Sequence, residues 1–218
     1  MIELLTWTTP NGARPAIMLE EVGLPYTVRL VDITAGEQFS PDFLAISPNN
    51  KIPALIDSDE AGERRVLFES GAIPIYLAEK TGLLLATSGQ RRAEALSWLF
   101  WATSGLGPTI GRFLQHVSTL TGQSGEDPFE RETIRLMRVL EKRLNEDPFL
   151  AGAYSIADIA AFAWLKFAFL VIKTRLGEEL GITPGIDGWL KEINARDAVQ
   201  RGLRASKVVL RRNAPHST

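Results

Sequence analysis

The stretch that decides the fold covers residues 51–80 and reads KIPALIDSDE AGERRVLFES GAIPIYLAEK. Two short apolar segments, residues 53–57 and 65–68, flank an acidic, glycine-containing segment at 58–63, which is the pattern of a β-hairpin. Residues 70–80 carry apolar side chains at helical spacing. The stretch therefore predicts two antiparallel strands followed directly by a helix.

Upstream of this stretch the chain alternates between strand and helix signals. Residues 3–7 are apolar and lead into a turn-like segment, TTPNG at 8–12. Residues 14–22 read as a helix with Pro15 in its first turn, and β-branched residues mark a strand at 27–31. With a short helix at 41–46, the order is β-α-β-α-β-β-α. This order predicts a thioredoxin-like four-stranded sheet with helices on both faces.

Downstream of Leu85 the chain shows no strand pattern. Apolar residues at three- and four-residue steps predict helices at residues 91–115, 129–145, 155–172 and 186–196. The predicted fold class is an α/β thioredoxin-like N-terminal domain plus an all-α C-terminal helical domain. We place the domains at residues 1–82 and 90–210.

Composition excludes several kinds of chemistry. The chain has no cysteine, which rules out a disulfide scaffold, a thiolate metal site and a cysteine nucleophile. Its two histidines, His116 and His216, are far apart in the chain, so we expect no metal site. The net charge of −2 does not favour nucleic-acid binding.

The apolar run at 156–172 is interrupted by Asp158 and Lys166, so we expect a buried helix and no membrane span. With no signal-peptide pattern at the N-terminus, we expect a cytoplasmic protein.

Four short strings carry a family resemblance. They are TPNG at 9–12, NKIP at 50–53, FESG at 68–71 and SIAD at 155–158. In this order and spacing they resemble the glutathione S-transferases along nearly the whole chain. The local sequence, including EQF at 37–39 and WLFW at 98–101, is most similar to that of the bacterial nu class. This class is related to the glutathione-binding part of a yeast nitrogen regulator.

The resemblance implies that glutathione binds as a co-substrate, with no tightly bound cofactor. Glu69 and Ser70 stand at a helix start, where unpaired N–H groups suit the γ-glutamyl carboxylate and Glu69 can pair with the amine; the alternative is that Ser70 only caps the helix. A cis peptide bond at Pro53 would let the Ile52 main chain pair with the cysteinyl main chain of glutathione. The alternative there is an ordinary trans proline at the start of a strand.

The remaining contacts concern the glycine end of glutathione and one arginine. Lys51 and Gln38 are the expected partners of the glycine carboxylate. In the nu class an arginine on the second long helix contacts glutathione, and Arg131 is the candidate here, although it can also be a solvated helix residue. The aromatic residues at 98–101 are either core residues or the lining of a pocket for a hydrophobic co-substrate.

The sulfur needs a partner that stabilises its thiolate. The amides before the first helix and the helix dipole favour an anion at residues 9–12. Other classes of the family place a tyrosine, serine or cysteine there, whereas this chain offers Thr9 and Asn11.

The resemblance implies reduction of a disulfide or peroxide by glutathione, weak transfer to electrophiles, and a homodimer. The alternative is a non-catalytic glutathione-binding module with a regulatory or structural role. For Asp158 the SIAD string predicts a capping box, hence a structural role.

Overall fold

A computed structural model describes residues 1–119 and 128–212 of the 218-residue chain. The strands are β1 (Ile2–Thr6), β2 (Tyr26–Leu30), β3 (Ala54–Ser58) and β4 (Arg64–Phe68). The α-helices are α1 (Pro10–Glu21), α2 (Pro41–Leu44), α3 (Ala72–Thr81), α4 (Gly89–Phe100), α5 (Gly107–Thr119), α6 (Pro128–Glu146), α7 (Ile156–Leu180), α8 (Pro184–Asn194) and α9 (Asp197–Arg212). A 3₁₀ turn (Glu37–Phe39) precedes α2, and a π-helical segment (Trp101–Leu106) joins α4 to α5.

The strands form one four-stranded sheet in the order β2-β1-β3-β4. β1 pairs parallel to β2 and antiparallel to β3, and β3 pairs antiparallel to β4 as a hairpin. The central strands are almost wholly buried, whereas β4 alternates between exposed and half-buried side chains, as expected for an edge strand. The predicted thioredoxin-like sheet followed by a helical half is confirmed.

The described chain forms two compact units. One contains Met1–Leu83 together with α9, and the other is Leu84–Asn194. The sequence predicts a single helical domain at residues 90–210. The contacts of α9 place it instead with the sheet, because its inner face packs on α1.

Helix α1 is buried on every side. Its residues from Gly12 to Leu19 are all buried, with the sheet against one face and α9 against another. At Gly202 the two helices touch backbone to backbone, since a Cβ atom there would lie 2.5 Å from the Ile17 Cα. Arg196 adds a two-pronged ion pair with the nearly buried Glu21 carboxylate, at 2.7 and 2.8 Å. A helix whose residues are buried on more than one face requires such a second cover.

Several predicted boundaries need correction. The segment TTPNG is not a free turn, because α1 already begins at Pro10. Pro15 therefore lies inside the helix, and Pro10 occupies the first position, where its missing N–H costs nothing. The helix predicted at 91–115 is divided by the π-helical segment, and the one predicted at 155–172 continues to Leu180.

The second unit is organised around α7. The predicted capping box at its start is confirmed: the Ser155 N–H donates to Asp158 Oδ2 at 3.0 Å. Asp158 also accepts hydrogen bonds at 3.0 Å from the Leu150 N–H and from Trp189 Nε1. Burial raises the pKa of this carboxyl to about 6, although the hydrogen bonds it accepts oppose the rise. Among the described helices, none has the length and hydrophobicity needed to span a membrane.

Candidate functional site

The N-terminus of α1 follows directly from the end of β1. Thr9 is the N-cap, and its Oγ1 accepts a hydrogen bond from the Gly12 N–H at 3.0 Å. A Cβ atom on Gly12 would lie 2.2 Å from the Trp7 carbonyl oxygen and 2.4 Å from Thr6 Oγ1. Only glycine fits there. Asn11, which lies between the cap and this glycine, is thereby held on the first turn of the helix.

The loop before β3 is fixed by short-range hydrogen bonds. The buried Ser47 hydroxyl donates to the Lys51 carbonyl at 2.8 Å, and Asn50 takes a left-handed conformation with φ of 49°. The Ile52–Pro53 peptide bond is cis, as predicted. The Ile52 side chain packs against a buried cluster that includes Phe43. Within the described residues its N–H and carbonyl make no hydrogen bond, so this main chain is available to another peptide.

The third segment near these two is the start of α3. Glu69 has a positive φ of 76°, and its carbonyl accepts from the Ile73 N–H at 3.1 Å. This bond closes the first helical turn, so the N–H groups of the next residues lie at a helix N-terminus and carry its partial positive charge. Ser70 is buried and Glu69 is exposed.

These three segments enclose one cavity of about 250 Å³. Its lining consists of Asn11, Asn49, Lys51, Ile52, Pro53, Glu69 and Ser70. Of the residues proposed from sequence for ligand binding or catalysis, six meet here. Two helix starts, one cation and one stretch of main chain without hydrogen bonds among the described residues lie around the same small volume. The arrangement suits a short peptide that carries an anionic end.

Three proposed residues are not part of this lining. Thr9 lies at the same helix start but uses its oxygen as a cap acceptor. Gln38 sits in the 3₁₀ turn, where its Nε2 donates to the Ile33 carbonyl at 3.4 Å and its Oε1 is buried without a donor among the described residues. Arg131 is an exposed residue of α6, in the second unit.

Sequence reasoning missed two residues at the cavity. Asn49 lines it and donates from Nδ2 to Glu69 Oε1 at 3.4 Å. Arg14 lies behind it, 1% exposed, and its Nη1 donates to Ser70 Oγ at 2.8 Å. An arginine inside an otherwise apolar helix was the available signal for Arg14. For Asn49, adjacent to the NKIP string, only its position hinted at a role.

The other candidate residues lie outside the lining of this cavity. Trp98 and Trp101 make an edge-to-face contact with ring centroids 5.2 Å apart, while Phe100 is 58% exposed. No group of three or more histidine, cysteine, aspartate or glutamate residues in the described part of the chain is placed to hold a metal ion. His216 lies outside the described residues.

Comparison with known families matches both halves of the chain. The model for the glutathione S-transferase N-terminal domain matches residues 2–79, and the model for the C-terminal domain of the same family matches residues 123–197.

Three similar proteins match over most of both chains. The chain is 44% identical over 208 residues to the disulfide-bond oxidoreductase YfcG of Escherichia coli (strain K12), covering 93% of this chain and 94% of that protein. A glutathione transferase family member from Pseudomonas fluorescens pf-5, crystallised with two glutathione bound, superposes with a TM-score of 0.83 at 39% identity, covering 93% and 92% of the two chains. A glutathione transferase from Pseudomonas putida with one glutathione disulfide bound per subunit gives a TM-score of 0.84 at 36% identity, covering 93% and 90%.

Proposed function

Because this chain belongs to the glutathione S-transferase family, we propose that it binds glutathione in the cavity described above and uses the bound thiol to reduce disulfides. The observation that carries this proposal is the convergence of three segments on one cavity: the start of α1, the cis-proline loop and the start of α3. Glutathione presents an amino-acid end, a cysteine and a carboxylate end, and each meets a matching group.

The γ-glutamyl end is assigned to the start of α3. Its carboxylate accepts from the N–H groups of the helix N-terminus and from the Ser70 hydroxyl. Its ammonium group pairs with the Glu69 carboxylate, which Asn49 orients through the 3.4 Å contact. The positive φ of Glu69 is consistent with this role, because such conformations are common where a backbone is shaped around a ligand.

The other end of the tripeptide is assigned to the loop before β3. The Ile52 N–H and carbonyl pair with the cysteinyl main chain, and the Lys51 ammonium group neutralises the glycine carboxylate. Gln38 Nε2 carries two hydrogens, so it can assist Lys51 with the one that the Ile33 carbonyl does not accept. Only the family resemblance supports a contact between Arg131 and glutathione.

The sulfur is assigned to the start of α1. A free thiol has a pKa of about 8.5, so stabilising its anion by hydrogen bonds and a helix dipole raises the thiolate fraction at neutral pH. Asn11 donates to the sulfur, and the Thr9 hydroxyl can donate its hydrogen while its oxygen accepts from Gly12.

The reaction proceeds in two exchanges. The bound thiolate attacks one sulfur of a disulfide, forming a mixed disulfide with glutathione and expelling the other sulfur as a thiolate. A second glutathione thiolate then attacks the mixed disulfide at the glutathione sulfur. The products are glutathione disulfide and two thiols, whose protons come from the two glutathione thiols. A peroxide or a small hydrophobic electrophile is the alternative co-substrate, and we expect slower transfer to electrophiles.

The proposal extends to assembly and location. We assign the chain to the nu class and expect a homodimer. The strand β4 supports this, because it exposes Val66 and Phe68 at 40% and 38% and exposed apolar side chains close together favour association. The cytoplasm is the expected location, since its glutathione pool is kept reduced.

The experiment is a turnover assay with a mixed disulfide of glutathione and 2-mercaptoethanol, in which glutathione disulfide is quantified by chromatography. Replacing Asn11 by alanine should lower turnover at neutral pH about tenfold, because a rise of about one unit in the pKa of the bound thiol leaves a smaller thiolate fraction. Asn145→Ala, an exposed asparagine of the second unit, is the matched control and should not change kcat. Equal turnover by the wild type and Asn11→Ala would remove Asn11 from the mechanism.

The second candidate is a glutathione-binding module without catalysis. It is favoured by the absence of a tyrosine, serine or cysteine from residues 9–12. Titration calorimetry in parallel with the assay decides between the two. Heat of binding without any glutathione disulfide produced supports the module, and turnover excludes it.

A further inference from the structure

Arg14 connects the two helix starts that form the cavity. It lies one turn after Asn11 on α1, the helix assigned to the sulfur, and its Nη1 reaches across to Ser70 Oγ at 2.8 Å, beside the start of α3. Both side chains are buried, with Arg14 at 1% and Ser70 at 8% exposed. Ser70 lines the cavity, whereas Arg14 stands behind it.

This hydrogen bond determines what the Ser70 hydroxyl can do. A guanidinium group only donates, so Ser70 Oγ must be the acceptor in this contact. The hydroxyl hydrogen therefore cannot point at Arg14 and is free to be donated into the cavity. With Arg14 as its donor, the Ser70 hydroxyl is oriented to donate its hydrogen to an anion in the cavity.

The charge of Arg14 acts in the same direction. Burial lowers the pKa of this guanidinium to about 10, so the group remains protonated at neutral pH. Because it is screened from water, its field reaches neighbouring groups at a lower effective dielectric constant than that of a surface arginine. It adds to the partial positive charge that the N–H groups of α3 present to the cavity.

We propose that Arg14 is a positioning residue for the α-carboxylate of the γ-glutamyl end of glutathione, acting through Ser70 and through its buried charge without touching the ligand. This assignment rests on the proposed function. It predicts that the effect of Arg14 is confined to one functional group of glutathione, whereas a purely structural role would affect all parts of the ligand alike.

The test compares two ligands by titration calorimetry: glutathione, and 4-aminobutyryl-cysteinyl-glycine, which lacks only the γ-glutamyl α-carboxylate. The proteins are the wild type, Arg14→Met, Arg14→Lys, Ser70→Ala and the double variant Arg14→Met/Ser70→Ala. Circular dichroism and thermal unfolding establish that each variant is folded. Kd for each ligand and the ratio of the two are the readouts.

The wild type should prefer glutathione over the analogue. In Arg14→Met the Kd for glutathione should rise about ten- to hundredfold, the range expected for hydrogen bonds to charged groups, while the Kd for the analogue changes less than about twofold. The double variant should lose less than the sum of the single losses, because the two residues act on one carboxylate. If Arg14→Met does not fold, the comparison rests on Arg14→Lys, which keeps the charge but not the planar fork and should lower the preference partially.

An unchanged ratio of the two Kd values in the folded arginine variants would overturn the assignment and leave Arg14 a structural residue. A wild type that binds neither ligand would refute the glutathione site itself, and the assignment of Arg14 with it. A wild type that binds both ligands equally would show that the start of α3 does not hold the carboxylate, which also overturns the assignment.

Discussion

At the scale of single residues, Thr9 has two tasks that can be separated. Its oxygen caps α1 by accepting from the Gly12 N–H, and its hydroxyl hydrogen is proposed to serve the sulfur. Aspartate is as good an N-cap as threonine but has no hydrogen to donate when ionised, and its charge repels a thiolate.

The Thr9→Asp variant should therefore keep its fold but lose activity. We expect its free energy of unfolding to change by less than about 1 kcal/mol. The pKa of bound glutathione should rise by about one unit, which lowers turnover at neutral pH about tenfold. Ultraviolet titration of the bound thiolate and the disulfide assay measure these effects. Thr9→Ser, which keeps both groups, is the control, and full activity in Thr9→Asp would exclude a role for the hydroxyl.

Asp158 makes the stability of the protein depend on pH. Burial raises its pKa to about 6 in the folded state, whereas an unfolded aspartate has a pKa of about 3.9. Between these values the folded protein holds a proton that the unfolded chain has released, so the contribution of this group to stability is complete below about pH 4 and declines as the pH rises through 6.

The effect is isolated by comparison with Asp158→Asn, which cannot ionise. The difference in unfolding free energy, wild type minus variant, should fall by roughly 2 kcal/mol between pH 4 and pH 7. Urea unfolding at fixed protein concentration measures it. A difference that rises over this interval would mean that the four hydrogen-bond contacts to the carboxylate outweigh its burial.

At the scale of elements, the close crossing of α1 and α9 depends on Gly202. Any side chain there meets the α1 backbone at Ile17, which is not the end of a flexible side chain and cannot move aside cheaply. Replacement by leucine should separate the two helices and expose α1, which also carries Asn11 and Arg14.

We expect Gly202→Leu to lower the free energy of unfolding by about 1–3 kcal/mol, the usual cost of overpacking, and to weaken glutathione binding as α1 loosens. Hydrogen exchange over residues 13–19 should increase. Arg204→Leu, at an exposed position of the same helix, is the matched control and should leave exchange in α1 unchanged. If hydrogen exchange over residues 13–19 were the same in Gly202→Leu and in Arg204→Leu, this would mean that α9 does not support α1.

Most elements could be predicted from local signals, and the exceptions have physical causes. The start of α1 was misplaced because the TPNG string has turn composition, yet a threonine cap followed by proline is also a helix start. The π-helical segment has no periodicity of its own and was merged into one helix. Helix α9 is not predicted because the basic composition of residues 201–212 is typical of a solvated tail, whereas the helix packs on α1.

At the scale of the whole molecule, the proposed homodimer is the point most open to direct measurement. β4 is the edge strand of the sheet and exposes Val66 and Phe68. Replacing Phe68 by arginine places a charge in the expected interface, so sedimentation equilibrium should change from twice the mass of one chain to a single chain.

The control for this experiment is Ile182→Arg, which adds the same charge at a position that is 87% exposed in the other unit. It should remain dimeric. A monomeric wild type contradicts the proposal directly, and a dimeric Phe68→Arg variant would place the interface away from β4.

The sequence by itself determined the order of the strands and of most helices, the turn-like TPNG segment that carries Asn11, the helix start at Ser70, the proline loop before β3 and the capping box of α7. These features arise from caps, turns and periodic side chains, whose partners are neighbours in the chain. Only the tertiary structure decided that α9 covers α1, that Arg14 reaches Ser70, and that Trp189 shares the Asp158 carboxylate. Each of these contacts joins residues far apart in the chain, and their approach depends on the packing of whole elements, which no local pattern specifies.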